Sequence, residues 1–266
     1  MSENLDYWHR QSTKKLFNDV DMMAPEQRRF AGKLLIIGGN KGMFFAVASA
    51  LETAKRFGAG EVRALMPDSL RNQVPSTPEL YFAETGGSGA FGRSALQEML
   101  RQAEWADAVI LIGDCGKNAE TSVVFAEFMD KCQKPVFVTR DAVEAVTPSV
   151  SDWSMREYET GLLLTMPQLQ KLLRTLYYPK VITLSMPTNQ LIEALHKFTL
   201  SYQMSVATYH NDLLIVAQNG EVVTQAISET EWTPISLWGG TLLVQAVVAR
   251  IWNPETDFYK VFSSKM

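Results

Sequence analysis

Cysteine and histidine are scarce in this chain, and neither sign of charge dominates. The two cysteines, Cys115 and Cys132, cannot build the disulfide framework of a small secreted domain, and they fit a reducing compartment. The three histidines, His9, His196 and His210, stand far apart, and no pair has metal-ligand spacing. Twenty-five basic residues stand against 29 acidic ones, a net charge of -4. No basic stripe is present to neutralise phosphates, so neither nucleic acid nor an anionic membrane is an expected partner. No run approaches the ~18 apolar residues of a membrane span. Met1–Phe17 is polar and mixed in charge and lacks the apolar core of a secretory signal. These absences point to a cytoplasmic protein.

What is present suits one large α/β domain. The chain has 266 residues, 46% of them hydrophobic, enough to fill a core of that size. Residues 1–30 read as a polar extension that Tyr7, Trp8, Leu16, Phe17, Met22 and Met23 could dock onto the body, and residues 31–266 read as the α/β domain. Leu34–Ile37 is a wholly apolar run ending in Gly38-Gly39, the pattern of a strand buried on both faces of a parallel sheet. A helix follows from about Phe44 to Phe57, then a strand at Glu61–Met66. The alternation continues with a helix at 94–104, a strand at Ala108–Ile112, a helix at 120–131 and a strand at Val136–Val138. Such alternation implies a mostly parallel central sheet with helices on both faces. Strands are expected further on at Leu162–Leu164, Val181–Leu184, Met204–Thr208, Leu213–Ala217 and Glu221–Gln225, the last two joined by a turn at Asn219-Gly220. Helices are expected at Gln168–Leu176, Asn189–Tyr202 and Gly240–Trp252.

The candidate site lies in the glycine-rich turns. Gly38-Gly39-Asn40-Lys41-Gly42 joins a strand to a helix, where glycine lets the backbone approach a ligand and the helix offers free N–H groups to an anion. Its spacing matches neither a Walker loop nor a dinucleotide fingerprint, and a plain strand-to-helix turn is the alternative reading. Gly113-Asp114-Cys115-Gly116-Lys117-Asn118 repeats the arrangement after a second strand. Right-handed crossovers place both turns beyond the strand C-termini, where they should converge. Trp238-Gly239-Gly240-Thr241 precedes the last helix and offers a third helix N-terminus, with a structural cap as the equal alternative. Thr85–Ala90, also rich in glycine, has no clear strand before it and reads as a flexible surface loop.

The segment Lys33–Gly42 through Ala46, then Arg56-Phe-Gly-Ala-Gly-Glu-Val62 and Pro67-Asp-Ser-Leu70, resembles the ATP- or ADP-dependent NAD(P)H-hydrate dehydratases, the YjeF C-terminal-type members of the ribokinase-like superfamily. Ala106–Gly113, Gly116, Ala119-Glu-Thr121, Lys134-Pro-Val136 and Asp141-Ala-Val143 extend the resemblance, which is good over residues 33–145 and thin beyond. It implies a ribokinase-like three-layer α/β/α sandwich, often assembled as a homo-oligomer. It implies ATP or ADP as phosphoryl donor, with Mg as a possible companion, and NAD(P)H-hydrate as substrate, repaired when the phosphorylated hydroxyl leaves. Substrate contacts would fall on Ala46 and Gly116.

The second half departs from the family where its chemistry is expected. The family's Thr-Pro-His-Pro-Gly-Glu stretch is here Thr165-Met166-Pro167-Gln168, and its Lys-Gly segment corresponds to Thr208–Asp212, which has no lysine. The family's Gly-Gly-Thr-Gly-Asp, whose Asp is the catalytic base, is here Gly239-Gly240-Thr241-Leu242-Leu243. No acid occurs between Glu231 and Glu255. A positioned base contributes ~10²–10⁴-fold in rate, roughly 3–5 kcal/mol of barrier lowering. Two readings follow. An active dehydratase would need a base from elsewhere, with Asp114 or Asp141 the candidates. Otherwise the chain is a lapsed member that binds a nucleotide on Gly38, Gly39, Asn40, Gly42, Gly113, Gly116, Gly239, Gly240 and Thr241 and acts in regulation or assembly.

Overall fold

The computed structural model describes residues 6–12, 14–227 and 237–266. The first five residues of the extension lie outside these, as does Glu231, one bound of the acid-free stretch.

The described residues form one ten-stranded sheet. In chain order its strands are β1 (Trp8–Gln11), β2 (Lys33–Gly38), β3 (Glu61–Pro67), β4 (Leu80–Ala83), β5 (Ala108–Gly113), β6 (Val136–Thr139), β7 (Thr160–Leu164), β8 (Ser205–His210), β9 (Leu213–Gln218) and β10 (Glu221–Ala226). The spatial order is β1-β10-β9-β8-β7-β6-β5-β2-β3-β4. From β4 across to β8 every neighbouring pair is parallel, β9 runs antiparallel to both neighbours, and β1 pairs parallel with β10. The sheet is therefore mostly parallel, as the alternating pattern requires.

Helices cover both faces, giving the three-layer sandwich. The helices are α1 (Asp19–Met22), α2 (Phe45–Phe57), α3 (Ala95–Trp105), α4 (Ala119–Lys131), α5 (Asp141–Val146), α6 (Val150–Trp153), α7 (Met166–Thr175), α8 (Thr188–Ser201), α9 (Thr241–Trp252) and α10 (Phe258–Ser264). Residues that alternate along β2 divide between two cores. Leu34 and Ile36 pack with α2, α9 and α10, whereas Leu35 and Ile37 pack with residues of α3 through α8. Burial on both faces is why β2 and β5 read as unbroken apolar runs rather than as alternations.

Several sequence expectations change here. Val181–Leu184 is not a strand but part of an irregular connection from α7 to α8. Its apolar run is split between buried Ile182 and exposed Val181 and Leu184, so it never presents a pleated face. Six elements have no counterpart in the sequence pattern: β1, β4, α10 and the short helices α1, α5 and α6. β1 hides in a mixed, polar stretch because it is an edge strand, and β4 hides because Leu80, Tyr81 and Phe82 are only partly buried. α10 was missed because the run Phe258–Ser264 is short and its buried side includes Ser263 and Ser264. Thr85–Ala90 does follow a strand, β4, and is held in place. Its Gly89 carbonyl accepts from Lys41 N at 2.8 Å and Ser69 Oγ at 3.0 Å, and Ser88 Oγ accepts from Asn118. The Asn219-Gly220 turn closes the β9–β10 hairpin with both residues at positive φ (52° and 83°).

Candidate functional site

The strand order reverses between β2 and β5: β3 and β4 lie to one side, β6, β7 and β8 to the other. Loops leaving neighbouring strands at such a switch point diverge to opposite faces and open a crevice. The loops concerned are Gly39–Phe44 and Asp114–Asn118, and at their bases the two glycine-rich turns are joined by hydrogen bonds. Gly39 N donates to Gly113 O at 2.8 Å, and Asn40 Nδ2 donates to Asp114 O at 2.5 Å. Asn40 also caps its own loop, its Oδ1 accepting from Gly42 N at 2.8 Å. Gly42 and Gly116 are exposed beside it.

Beneath these backbones lies a carboxylate–guanidinium assembly. The Asp114 side chain is 1% exposed and forms an ion pair with Arg140, Nη2 to Oδ1, at 2.7 Å. The other carboxylate oxygen, Oδ2, accepts from Ala46 N at 2.6 Å, in the first turn of α2. Asp141 is the second brace: Oδ1 accepts from Asp114 N at 2.7 Å and Oδ2 from Gly116 N at 2.9 Å. Gly113 is required at this joint. Its φ is +95°, and a Cβ there would stand 2.2 Å from Asp141 Oδ1.

Arg140 was not singled out in the sequence. Its own φ of 58° is unusual for a side-chain-bearing residue, and it ties three segments together. Nη2 meets Asp114, Nη1 donates to Trp238 O at 3.4 Å, and its carbonyl accepts from Gln168 Nε2 at 2.8 Å. Its Nε is buried without a partner among the described residues. The sequence signal was its place, immediately after an apolar strand and before Asp141, but spacing alone could not show where it reaches.

The Trp238–Thr241 segment joins the cluster through that Trp238 contact. Gly240 has φ +88° and lies against the ends of β5 and β6, where a Cβ would meet Ile112 Cδ1 at 2.8 Å. α9 begins at Thr241 with no side-chain cap and no acid in its first turn, and Leu242 and Leu243 are fully buried. Ala46 is also buried, within α2 rather than in the loop, and its N–H is committed to Asp114. A cleft of about 360 Å³ opens beside the second loop, lined by Gly116, Asn118, Asp141, Glu144 and Lys171 among others. Burial, with Asp141 next in effect, pushes the Cys115 thiol well above its usual range, so this loop cysteine is held as a thiol rather than a nucleophilic thiolate.

The histidines take structural partners. His9 meets Glu221 at 2.6 Å across the β1–β10 edge, His196 Nδ1 lies at 2.5 Å from Gly220 O, and His210 Nε2 lies at 2.7 Å from Met186 O. Among the described residues no three His, Cys, Asp or Glu side chains group so as to hold a metal ion, and no helix is long and apolar enough to cross a membrane.

Comparison with known proteins supports this reading of the fold. No family model matches the chain. The bifunctional NAD(P)H-hydrate repair enzyme Nnr of Methanothermobacter thermautotrophicus is 34% identical over 116 residues, 42% of this chain and 22% of that enzyme. The match thus spans about a fifth of the curated relative. A ribokinase-like superfamily protein from Enterococcus faecalis superposes with a TM-score of 0.68 at 13% identity, covering 98% of this chain and 86% of its own. The ADP/ATP-dependent NAD(P)H-hydrate dehydratase of Bacillus subtilis, co-crystallised with ATP and Mg²⁺, superposes with a TM-score of 0.57 at 14% identity, covering 91% and 79%. The chain has the ribokinase-like fold and resembles, over its matched segment, an NAD(P)H-hydrate repair enzyme.

Proposed function

We propose that this chain binds a nucleotide, an adenine nucleotide or a nicotinamide dinucleotide, where the Gly39–Phe44 and Asp114–Asn118 loops meet the head of α9, and that phosphoryl-transfer chemistry at this place has lapsed. The observation that carries the reading is the commitment of the carboxylates. Both oxygens of Asp114 and both of Asp141 are taken by N–H donors that hold the loops together. Protonating either carboxylate, as the role of general base requires, would weaken the hydrogen bonds that hold the loops and, at Asp114, the ion pair with Arg140. Leu242 and Leu243 stand buried where the resemblance leads one to expect an acid.

The binding half of the reading rests on two features. The uncapped N-terminus of α9, next to glycines, offers backbone N–H groups and the positive end of a helix dipole to a phosphate. The Arg140 guanidinium beside it adds a fixed positive charge, although part of that charge is neutralised by Asp114. Any Mg²⁺ would have to come with the nucleotide, held chiefly by its phosphates. Such a chain would serve regulation or assembly, and a homo-oligomer is the assembly the resemblance suggests.

The second reading, an active dehydratase, is favoured by the 34% identity of the matched segment to a repair enzyme. One experiment separates the two. The protein is incubated with hydrated NADPH plus ATP, then ADP, while the absorbance of the reduced nicotinamide is followed. No recovery, together with an upward shift in melting temperature on adding nucleotide, is the expected result. Recovery that disappears in Asp114→Asn or Asp141→Asn would establish the dehydratase. Neither recovery nor stabilisation by any nucleotide would refute binding as well.

A further inference from the structure

A cavity lies outside the loop cluster, along the exposed side of α7. It measures about 570 Å³ and is lined by Lys171, Arg174, Tyr177, Tyr178, Lys180 and Ile182, with Pro167, Gln170, Leu173 and Val181 completing it. Its lining contains three cations and no acid. None of the three forms an ion pair among the described residues, so their charge faces the groove and solvent. The floor is apolar: Leu173 and Ile182 are buried, and Gln170 Nε2 fixes the irregular segment there by donating to Ile182 O at 2.8 Å.

The two tyrosines differ. Tyr178 is anchored, its ring edge-on to Phe198 and its hydroxyl on Ala194 O at 3.4 Å. Tyr177 is 92% exposed and holds a φ of 53°, a conformation that side-chain-bearing residues rarely adopt. The positive φ belongs to the C-terminal cap of α7, where Tyr178 N donates to Leu173 O at 2.9 Å, and this turn holds a large aromatic ring out into solvent beside the cationic rim.

We propose that this groove is a second binding site, for a nucleotide-type ligand that combines a flat ring with a polyphosphate. The ring stacks against Tyr177 and the apolar floor, and the phosphates meet Lys171, Arg174 and Lys180. Aromatic faces take any base without reading it, and clustered cations attract phosphate from a distance. The combination of a stacking platform with an acid-free cationic rim is what sets this cavity apart from the cleft beside the second loop, where Asp141 and Glu144 stand with Lys117 and Lys171 and no aromatic ring is present. Lys171 lines both, so the two places adjoin. The proposal does not depend on binding at the loops.

The test uses a reporter at the groove itself. The protein is labelled with 3-fluorotyrosine, the Tyr177 signal is assigned by its loss in Tyr177→Phe, and ATP is titrated while fluorine spectra are recorded. A saturable shift of the Tyr177 signal is expected. Inorganic triphosphate should compete, and adenosine alone should bind at least tenfold more weakly than ATP. Arg174→Glu/Lys180→Glu, two exposed positions, should raise the midpoint tenfold or more, and added salt should weaken binding. A Tyr177 signal that stays fixed while ATP raises the melting temperature would overturn the groove and leave the loop site standing. A midpoint unchanged in the charge-reversed protein would overturn it too, as would displacement of ATP by polyglutamate at equal charge, which would assign the groove to an acidic polypeptide. Should the charge-reversed protein fail to fold, the wild-type titration and its competition by triphosphate decide.

Discussion

If the Asp114–Arg140 pair is the brace that holds the loops, its two halves should be energetically coupled. Arg140→Met removes the guanidinium and leaves a carboxylate that is 1% exposed with only the Ala46 N–H to stabilise it. Stranding a buried charge in this way costs about 3–5 kcal/mol. Arg140 itself is 30% exposed, so water can reach its side of the pair, and the lower end, about 3 kcal/mol, is the expected loss. For a domain of this size that corresponds to roughly 6–12 °C in melting temperature. Asp114→Asn keeps an acceptor for Ala46 N and loses the ion pair, with an expected cost of about 1–3 kcal/mol. The double variant, Asp114→Asn with Arg140→Met, removes charge from both sides and should cost at least ~1.5 kcal/mol less than the sum of the singles. Urea denaturation of the four proteins at 25 °C, fitted with free m-values, supplies the cycle. A loss under ~1 kcal/mol for Arg140→Met, or single costs that add to within ~0.5 kcal/mol, would refute the brace.

Two further outcomes follow from the same cluster. Gly113→Ala places a methyl group 2.2 Å from Asp141 Oδ1 at a φ of +95°, so it should destabilise by roughly 2–4 kcal/mol through backbone strain and the loss of the Asp141 hydrogen bonds. Gly87→Ala, where a Cβ meets nothing within 4 Å, should change the urea midpoint little, and equal losses at the two positions would count against the geometry. The second outcome concerns pH. Burial raises the Cys115 thiol well above its ordinary value of 9.0, so the folded chain keeps a proton that the unfolded chain releases. Stability from this group is therefore complete below about pH 9 and falls as pH rises past it. The urea midpoint should drop between pH 8 and pH 10, and Cys115→Ala should flatten that slope. Iodoacetamide at pH 8 should leave both cysteines of the native protein unmodified by mass spectrometry, since Cys132 is also buried with a raised pKa.

The parallel core of the fold was legible because β2, β5 and β6 are buried on both faces, and such strands write themselves as unbroken apolar runs. What escaped were strands that a two-faced burial rule does not reach: β1 at the sheet edge, with its mixed polar sequence, and β4, whose Leu80, Tyr81 and Phe82 stay half-covered. Val181–Leu184 failed in the opposite direction, since three β-branched residues of high strand propensity lack a neighbouring strand to pair with. At the site, the meeting of the two glycine-rich loops could be deduced from the handedness of crossovers, and Gly39 N to Gly113 O is its physical form. The role of Arg140 could not. It depends on a long side chain crossing from the end of β6 to Asp114 and Trp238, and no local pattern encodes such a reach.

The pairing of β1 with β10 has a consequence for how the chain is made. Trp8 Nε1 donates to Thr224 Oγ1 across 216 positions of sequence, and the Gln11 side chain reaches Ser263 O. A ribosome adding ~5–20 residues per second needs on the order of ten to forty seconds between synthesising the two halves of that ladder. During this interval β1 has no partner strand, and the extension that precedes β2 must wait beside a growing sheet whose far edge does not yet exist. β1 is thus made long before it can be placed, and the edge that β10 presents stays open to a stray strand from another molecule until β1 arrives.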